Sequence, residues 1–371
     1  MSSEEKLYWL FFSAFEEGIG PVRFQLLLKH FGCAKNAWSA KLKDLLEAGL
    51  PVSIAQKFVK FRSGFSQDNY LKLLKNKTIS FITLSDIYYP PLLKQISDPP
   101  FVLYLKGNYQ KQWFLDETNI AVVGSRKATA YGREVTTVMT KNLVEAGLTI
   151  VSGLALGIDS VAHQAALNKQ GKTIAVLGCG VDLIYPSQNR KLYEEIINKG
   201  GCIISEMPLG HWVSKTVFPA RNRIISGLSK GVLITEGAVD SGALITCSYA
   251  AEQGRDVFAV PGPIDSFLSE GPHSLLKKGA RLVTSAKDIL EELKITPPGC
   301  FSTVTPGVRS LNKKDFSDDE RTIMDLLKTE QLTVDDIIKK SHLSSSIVLS
   351  VLSFLEIKGY IRDYGGKYRI Q

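Results

Sequence analysis

Short apolar runs alternate with helix-patterned stretches through the middle of the chain. The runs are NIAVVGS (119–125), LTIVSG (148–153), KTIAVLGCG (172–180), CIISEMP (202–208), KGVLITEG (230–237), DVFAVPG (256–262) and RLVTS (281–285). Their apolar residues are contiguous and rich in valine and isoleucine. A strand of that kind is covered on both faces. Its repetition with intervening helices predicts an α/β domain built on a parallel sheet, spanning residues 111–296.

The pattern changes on either side. Residues 1–110 carry helical periodicity over 4–16, 21–31, 40–48 and 52–62, broken at Gly18-Ile19-Gly20-Pro21 and at Gly49-Leu50-Pro51. Strands around proline-rich turns follow over 79–105. Helix pairs joined by glycine hairpins predict a SAM-like or helix-hairpin-helix-like module. Such a module either offers backbone N–H groups to DNA phosphates or serves as a helical packing domain. Residues 297–310, rich in Pro, Gly, Ser and Thr, read as a linker. Beyond it, helical patterns at 317–329, 333–340 and 344–359 precede GYIRDYGGKYRI, a hairpin turning at Gly365-Gly366. Helix, helix-turn-helix and hairpin outline a winged helix over 311–371.

Charge refines this division. The net charge is +8, with a pI near 9.0. Residues 1–111 hold 15 Lys and Arg against 9 acids, residues 112–310 hold 20 against 18, and residues 311–371 hold 10 against 10. A mild basic excess fits a phosphate-rich partner. The neutral terminal module argues for protein contact or weak DNA contact above duplex recognition, although Ser344-Ser345-Ser346 could touch phosphates. Five scattered cysteines (33, 179, 202, 247, 300) predict reduced thiols and a cytoplasmic setting. The glutamates of MSSEEKLYWLFF make a poor secretory signal, and no apolar stretch is long enough to predict a membrane span.

Open parallel sheets bind ligands beyond the carboxyl ends of their strands. The ends here are Gly124-Ser125-Arg126, Ser152-Gly153, Gly178-Cys179-Gly180, Glu206, Glu236-Gly237 and Pro261-Gly262. Glycines alone would only make tight turns, but basic groups at the same rim point to an anion. AVVGSRKATAYG (121–132) has the strand, glycine turn and helix of a phosphate cradle. It is no dinucleotide fingerprint: the glycine after Gly124 is Gly132, and no acid closes TIVSG. Arg126 there would take a phosphate bidentately. In KTVFPARNRIISGLS (215–229), Pro219 can open a helix with Arg221, Asn222 and Arg223 in its first turn. Cations are disfavoured at a helix start unless an anion sits among them. Lys215 lies just upstream, and Phe218 offers a face for base stacking or for core packing. Ser241, Gly242 and Thr246 supply donors at another helix start.

A catalyst is not evident. His163 follows Asp159 by four residues with no nucleophile placed by motif, so Asp159 reads as a helix N-cap and His163 as structural. Glu206 and Glu236 are lone carboxylates. The five histidines are far apart, so neither a metal nor a cofactor is expected.

GSR (124–126), SGLALGIDSVAHQAAL (152–167), GCGVDLIYPSQN (178–189), FPARNRIISGLS (218–229), SGALIT (241–246) and AVPGPI (259–264) together resemble the DNA-processing protein A family, also called Smf. The resemblance implies an extended Rossmann fold with SAM-like and winged-helix flanks. It implies a homodimeric, non-enzymatic single-stranded DNA binder that protects incoming DNA during natural transformation and helps load the RecA recombinase. Carried onto this chain, Arg126 would be the central phosphate ligand, with Gly124, Ser125, Ser152 and Gly153 around it. Lys215, Arg221 and Arg223 would line the same pocket, with Phe218 near a base. Self-association would use GPHSLLKKGARLV (271–283), including His273, Leu275 and Leu276; Pro272-His273 departs from the family's usual pattern there. A competing possibility is a nucleoside-monophosphate phosphoribohydrolase, for which TEGAVDSGALIT lacks the expected Pro-Gly-Gly-x-Gly-Thr loop.

Overall fold

A computed structural model describes residues 2–115, 117–213, 217–296, 317–357 and 360–370. The chain forms two compact units, Met1–Pro298 and Gly299–Gln371.

The first unit begins with six helices: α1 (Ser3–Ser13), α2 (Pro21–Phe31), α3 (Ala34–Ser39), α4 (Leu42–Glu47), α5 (Val52–Gly64) and α6 (Gln67–Asn76). Pro21 occupies the first turn of α2, where its missing N–H costs nothing. The helices close on an aromatic cluster in which Phe12 stacks on Phe58 with ring centroids 4.9 Å apart. This layer does not stand alone. Phe24 stacks on Phe101 at 4.2 Å, and the Tyr104 hydroxyl meets Ser13 Oγ at 2.7 Å and the Tyr70 hydroxyl at 2.8 Å. Its apolar core continues into Ala175, Leu177 and Ile203 of the sheet.

The sheet comprises β1 (Ser80–Thr83), β2 (Val102–Gly107), β3 (Asn119–Val123), β4 (Thr149–Ser152), β5 (Thr173–Val176), β6 (Cys202–Ser205), β7 (Gly231–Ile234), β8 (Asp256–Ala259) and β9 (Arg281–Leu282). The strand order is β1-β2-β6-β5-β4-β3-β7-β8-β9. Strands β3 to β9 pair in parallel, while β1 and β2 add an antiparallel edge. The parallel sheet expected over 111–296 is thus present, and the strands expected over 79–105 extend it by the antiparallel edge. Helix α7 (Pro91–Lys94) separates β1 from β2. Helices α8 (Ala130–Glu145), α9 (Ile158–Asn168), α10 (Arg190–Asn198), α11 (Val217–Gly227), α12 (Gly242–Glu252), α13 (Glu270–Lys277) and α14 (Ala286–Glu292) complete the unit. Alternate residues of one strand serve opposite layers, as the pleat requires. Ile120 and Val122 pack with Met139 and Leu143 of α8, whereas Ala121 and Val123 share a core with Ile224, Ile225 and Cys247 of α11 and α12.

The second unit holds α15 (Asp318–Thr329), β10 (Leu332–Thr333), α16 (Val334–Ser341), α17 (Ser345–Ile357), β11 (Ile361–Asp363) and β12 (Lys367–Ile370). Capping boxes start α15 (Ser317 with Glu320) and α16 (Thr333 with Asp336). The hairpin expected from the sequence is joined by β10 into a three-stranded sheet, order β10-β12-β11, over a core that includes Ile323, Ile337, Val348 and Leu352.

Candidate nucleic-acid interface

The strand order creates the site. From β3 the chain steps outward through β4, β5 and β6, then returns to build β7, β8 and β9 on the other side. The connections leaving β3 and β7 diverge, and a crevice opens at their carboxyl ends. It measures about 680 Å³ and is lined by Gly124, Ser125, Arg126, Arg221, Asn222, Ser241, Gly242 and Thr246. Next to it, a small pocket of about 80 Å³ is lined by Arg126, Gly153, Leu156, Tyr185, Val213 and Arg221 among others.

Helices α8 and α12 both start at this rim. The start of α8, where the sequence suggested a phosphate cradle, is already filled. The buried carboxylate of Glu236, just after β7, accepts from Thr129 N at 2.9 Å and from the Thr129 hydroxyl. Gly132 makes room for it: a Cβ at that position would lie 2.1 Å from Glu236 Oε2. The start of α12 is open. Ser241 caps it, its hydroxyl accepting from Ala243 N at 3.3 Å, and nothing lies within 4 Å of a Cβ built on Gly242. An anion entering the crevice meets the start of α12 and not that of α8.

Arg126 stands on the turn between these features and is exposed. Its turn is clamped on both sides. Ser125 N donates to Glu236 O at 2.7 Å, and Ile158 N donates to Ser125 O at 3.1 Å. Gly157, at φ 81°, lets the β4–α9 loop approach so closely that a Cβ there would sit 2.1 Å from Ser125 O.

Arg221 lies beneath the rim. It is buried, and its Nη1 donates to Gly153 O at 2.6 Å and Val176 O at 2.5 Å, bracing the ends of β4 and β5. Burial lowers its pKa, against the opposing pull of Asp159. Asp159 is not the N-cap of α9 as expected; Gly157 holds that position. The Asp159 carboxylate instead reaches back to Gly153 N at 3.1 Å and Ala155 N at 3.4 Å, fixing the loop that Arg221 braces. Burial raises its pKa, while Arg221 and these N–H groups favour its charge. His163 is fully buried with Nδ1 2.7 Å from Thr173 Oγ1, and burial depresses its pKa to about 3. It is a neutral packing residue at physiological pH.

The other expected residues divide. Asn222 bridges the arginine to α12: its Oδ1 accepts from Arg221 Nε at 3.1 Å and its Nδ2 donates to Gly242 O at 3.1 Å. Ser152 is buried and donates to Val122 O at 2.7 Å, so its hydroxyl serves the sheet. Arg223 departs from the expected cluster. It is buried between Asp98 Oδ2 at 2.8 Å and Glu206 Oε2 at 2.7 Å, away from the crevice lining. Burial opposes its charge, yet the two carboxylates hold its pKa above the usual value. Lys215 and the side chain of Phe218 lie outside the described residues. His273 contacts Gly262 O at 3.1 Å, and Leu275 and Leu276 are partly buried against the unit's own core. Leu282 of edge strand β9 is 57 % exposed.

Among the described residues, no cluster of His, Cys, Asp and Glu could hold a metal, no helix is long and apolar enough to cross a membrane, and Cys33, Cys179, Cys202 and Cys247 are unpaired thiols.

The family model for the DNA recombination-mediator protein A domain matches residues 80–294, and that for the DprA winged helix domain matches residues 310–367. Protein Smf of Synechocystis is 40 % identical over 320 residues, covering 85 % of this chain and 80 % of that protein. The X-ray structure of DNA processing protein A from Streptococcus pneumoniae superposes with a TM-score of 0.67 at 36 % identity, covering 77 % of this chain and 97 % of that one. DNA processing protein A from Helicobacter pylori, whose structure addresses its single-stranded DNA binding mode, gives 0.52 at 31 % identity and covers 58 % of this chain and 96 % of that one.

Proposed function

The chain belongs to the DNA recombination-mediator protein A family, and we propose that it binds single-stranded DNA without sequence preference through the β3/β7 crevice. One observation carries the reading: Arg126 and the open start of α12 line the same crevice, while the competing start of α8 is filled by Glu236. A guanidinium and helix-start N–H groups are donors for a phosphate. A crevice of about 680 Å³ has the size of a small-ligand pocket and not of a duplex cleft, so a flexible sugar-phosphate chain is the fitting ligand. Ser125, Asn222 and Thr246 complete the polar wall. Arg221 and Asp159 act from beneath, by holding the β4–α9 loop. Lys215 and Phe218 belong to this proposal from the family motif alone.

From the same family membership we propose that the protein acts in the cytoplasm as a homodimer, protects incoming DNA and loads the RecA recombinase onto it. The enzymatic alternative has less support. A phosphoribohydrolase needs a glutamate available to substrate, and the carboxylate of Glu236 is buried and engaged by Thr129.

A titration of labelled oligothymidine against duplex of equal length, at two salt concentrations, tests the reading. Single strand should bind tighter, and its affinity should fall steeply with salt, because phosphate contacts release counterions. Equal binding of duplex, or salt-insensitive binding, contradicts it. Incubation with AMP should release no adenine.

A further inference from the structure

The site carries exposed apolar side chains beside its polar ones: Phe267, 63 % exposed, lines the crevice itself. Trp212, on the loop between β6 and α11, is 66 % exposed. Tryptophan gives up more burial than any other residue when left in water, although a lone exposed apolar residue is common. Three observations set Trp212 apart. The first is position: its neighbour Val213 lines the small pocket that Arg126 also lines. Adjacent Cα atoms are about 3.8 Å apart, so the Trp212 backbone lies one residue from that pocket's wall.

The second is a fixed backbone. His211, immediately before it, donates its N–H to Pro208 O at 3.2 Å and accepts from Gly180 N at 3.0 Å. Gly210 N donates to Asp182 Oδ1 at 3.0 Å, and Asp182 pairs with Lys77 at 2.7 Å. His211 Nδ1 lies 2.9 Å from Glu16 Oε2. The loop is thus tied to the β5–α10 connection and to the N-terminal helices before it presents the indole. The third is company: Leu156 and Tyr185, 37 % and 39 % exposed, line the same small pocket. The Arg126 pocket therefore has an apolar, aromatic rim on the β4–β6 side.

We propose that Trp212 is a stacking platform for the nucleobase adjacent to the nucleotide held at Arg126. The inference rests on the single-stranded DNA reading of the crevice. An exposed aromatic side chain on a tethered loop near a phosphate grip is the arrangement that sequence-tolerant single-strand binders use, since every base has a face to stack. It also assigns the N-terminal helices a role: through Lys77 and Glu16 they position the platform.

The test compares wild type, Trp212→Ala and Trp212→Phe in anisotropy titrations with oligothymidine and with an abasic oligomer of equal length. Trp212→Ala should bind oligothymidine roughly 5- to 150-fold more weakly, the range that one base–aromatic stack supports. Trp212→Phe should recover part of that loss. Abasic binding should be the same in all three proteins. The dependence of log affinity on log salt should keep its slope, because a stack releases no counterion. Oligothymidine should quench the tryptophan emission of wild type more than that of Trp212→Phe. The side chain is exposed, so melting temperatures should agree. If wild type binds oligothymidine and Trp212→Ala binds it equally well, the platform is wrong and the crevice reading stands. If Trp212→Ala instead changes only the oligomeric state in light scattering, the indole faces protein and the platform is likewise wrong. If wild type binds no oligothymidine, both fail.

Discussion

Helices α8 and α12 begin at the same rim, each after a parallel strand and a short turn, yet they treat an anion in opposite ways. The protein's own carboxylate, Glu236, fills the start of α8. The start of α12 has only its Ser241 cap and opens into the crevice. The lesson is that strand, turn and helix do not by themselves make a phosphate site. What decides is whether the fold has already spent the helix-start donors. The arginines divide by burial: Arg223 lies between Asp98 and Glu206, Arg221 donates to carbonyl oxygens beneath the rim, and Arg126 is exposed at the rim.

The strongest way to sharpen this contrast is to remove the consumed arginine. Arg223→Ala leaves the buried Glu206 carboxylate without its partner, beside a half-exposed Asp98, and should cost about 3–5 kcal/mol of stability. Chemical denaturation reads the loss directly. The fraction that remains folded should bind oligothymidine within about twofold of wild type, since Arg223 takes no part in the crevice lining.

Next comes the filled helix start. Glu236→Ala leaves the Thr129 N–H without its acceptor and should cost about 1–2 kcal/mol, the range for a lost N-cap. It should also weaken single-strand binding severalfold, because the β3–α8 turn that carries Arg126 loses its side-chain anchor at Thr129, although Ser125 N keeps its bond to the backbone oxygen of residue 236. Glu236→Gln, which keeps an acceptor, should recover most of both. Tight binding by a destabilised Glu236→Ala would separate the cap from the site.

Arg126→Ala acts on the open side of the comparison. It should lower affinity at least tenfold, about 1.4 kcal/mol, without unfolding the protein. The salt slope should fall by about 0.7, one single-strand phosphate contact. Gly242→Asp is the smallest change: it places on α12 what Glu236 places on α8. Space is available for the side chain. Affinity should fall about fivefold at low salt through competition at the helix start, and less at high salt. Unchanged affinity would mean that the start of α12 takes no part.

Much of this was legible in the sequence. Contiguous apolar runs located every parallel strand, and the rim residues followed from the strand ends. The position of Arg126 after Val123-Gly124-Ser125 needed no tertiary information. Other features were hidden for a physical reason. Glu236 meets Thr129 across 107 residues and Arg223 meets Asp98 across 125, so no local pattern carries either contact. Helix α6 was missed because Gln67–Asn76 is largely polar, burying only Leu74 completely. Arg221 and Arg223 part for a reason of spacing. Residues two apart on a helix point about 200° from each other and cannot face one pocket. Asp159 does not cap its helix because α9 starts two residues earlier than that assignment needs, behind a glycine at positive φ that only the fold reveals.

The central claim is a place: a phosphate held between Arg126 and the first N–H groups of α12. A crystal of the protein with a short oligothymidine tests it without an intermediary. The account predicts a phosphate within hydrogen-bonding distance of the Arg126 guanidinium and of the Gly242 end of α12, with α8 still closed by Glu236. A strand bound elsewhere with the crevice empty, or a phosphate at the start of α8 with Glu236 displaced, would contradict it.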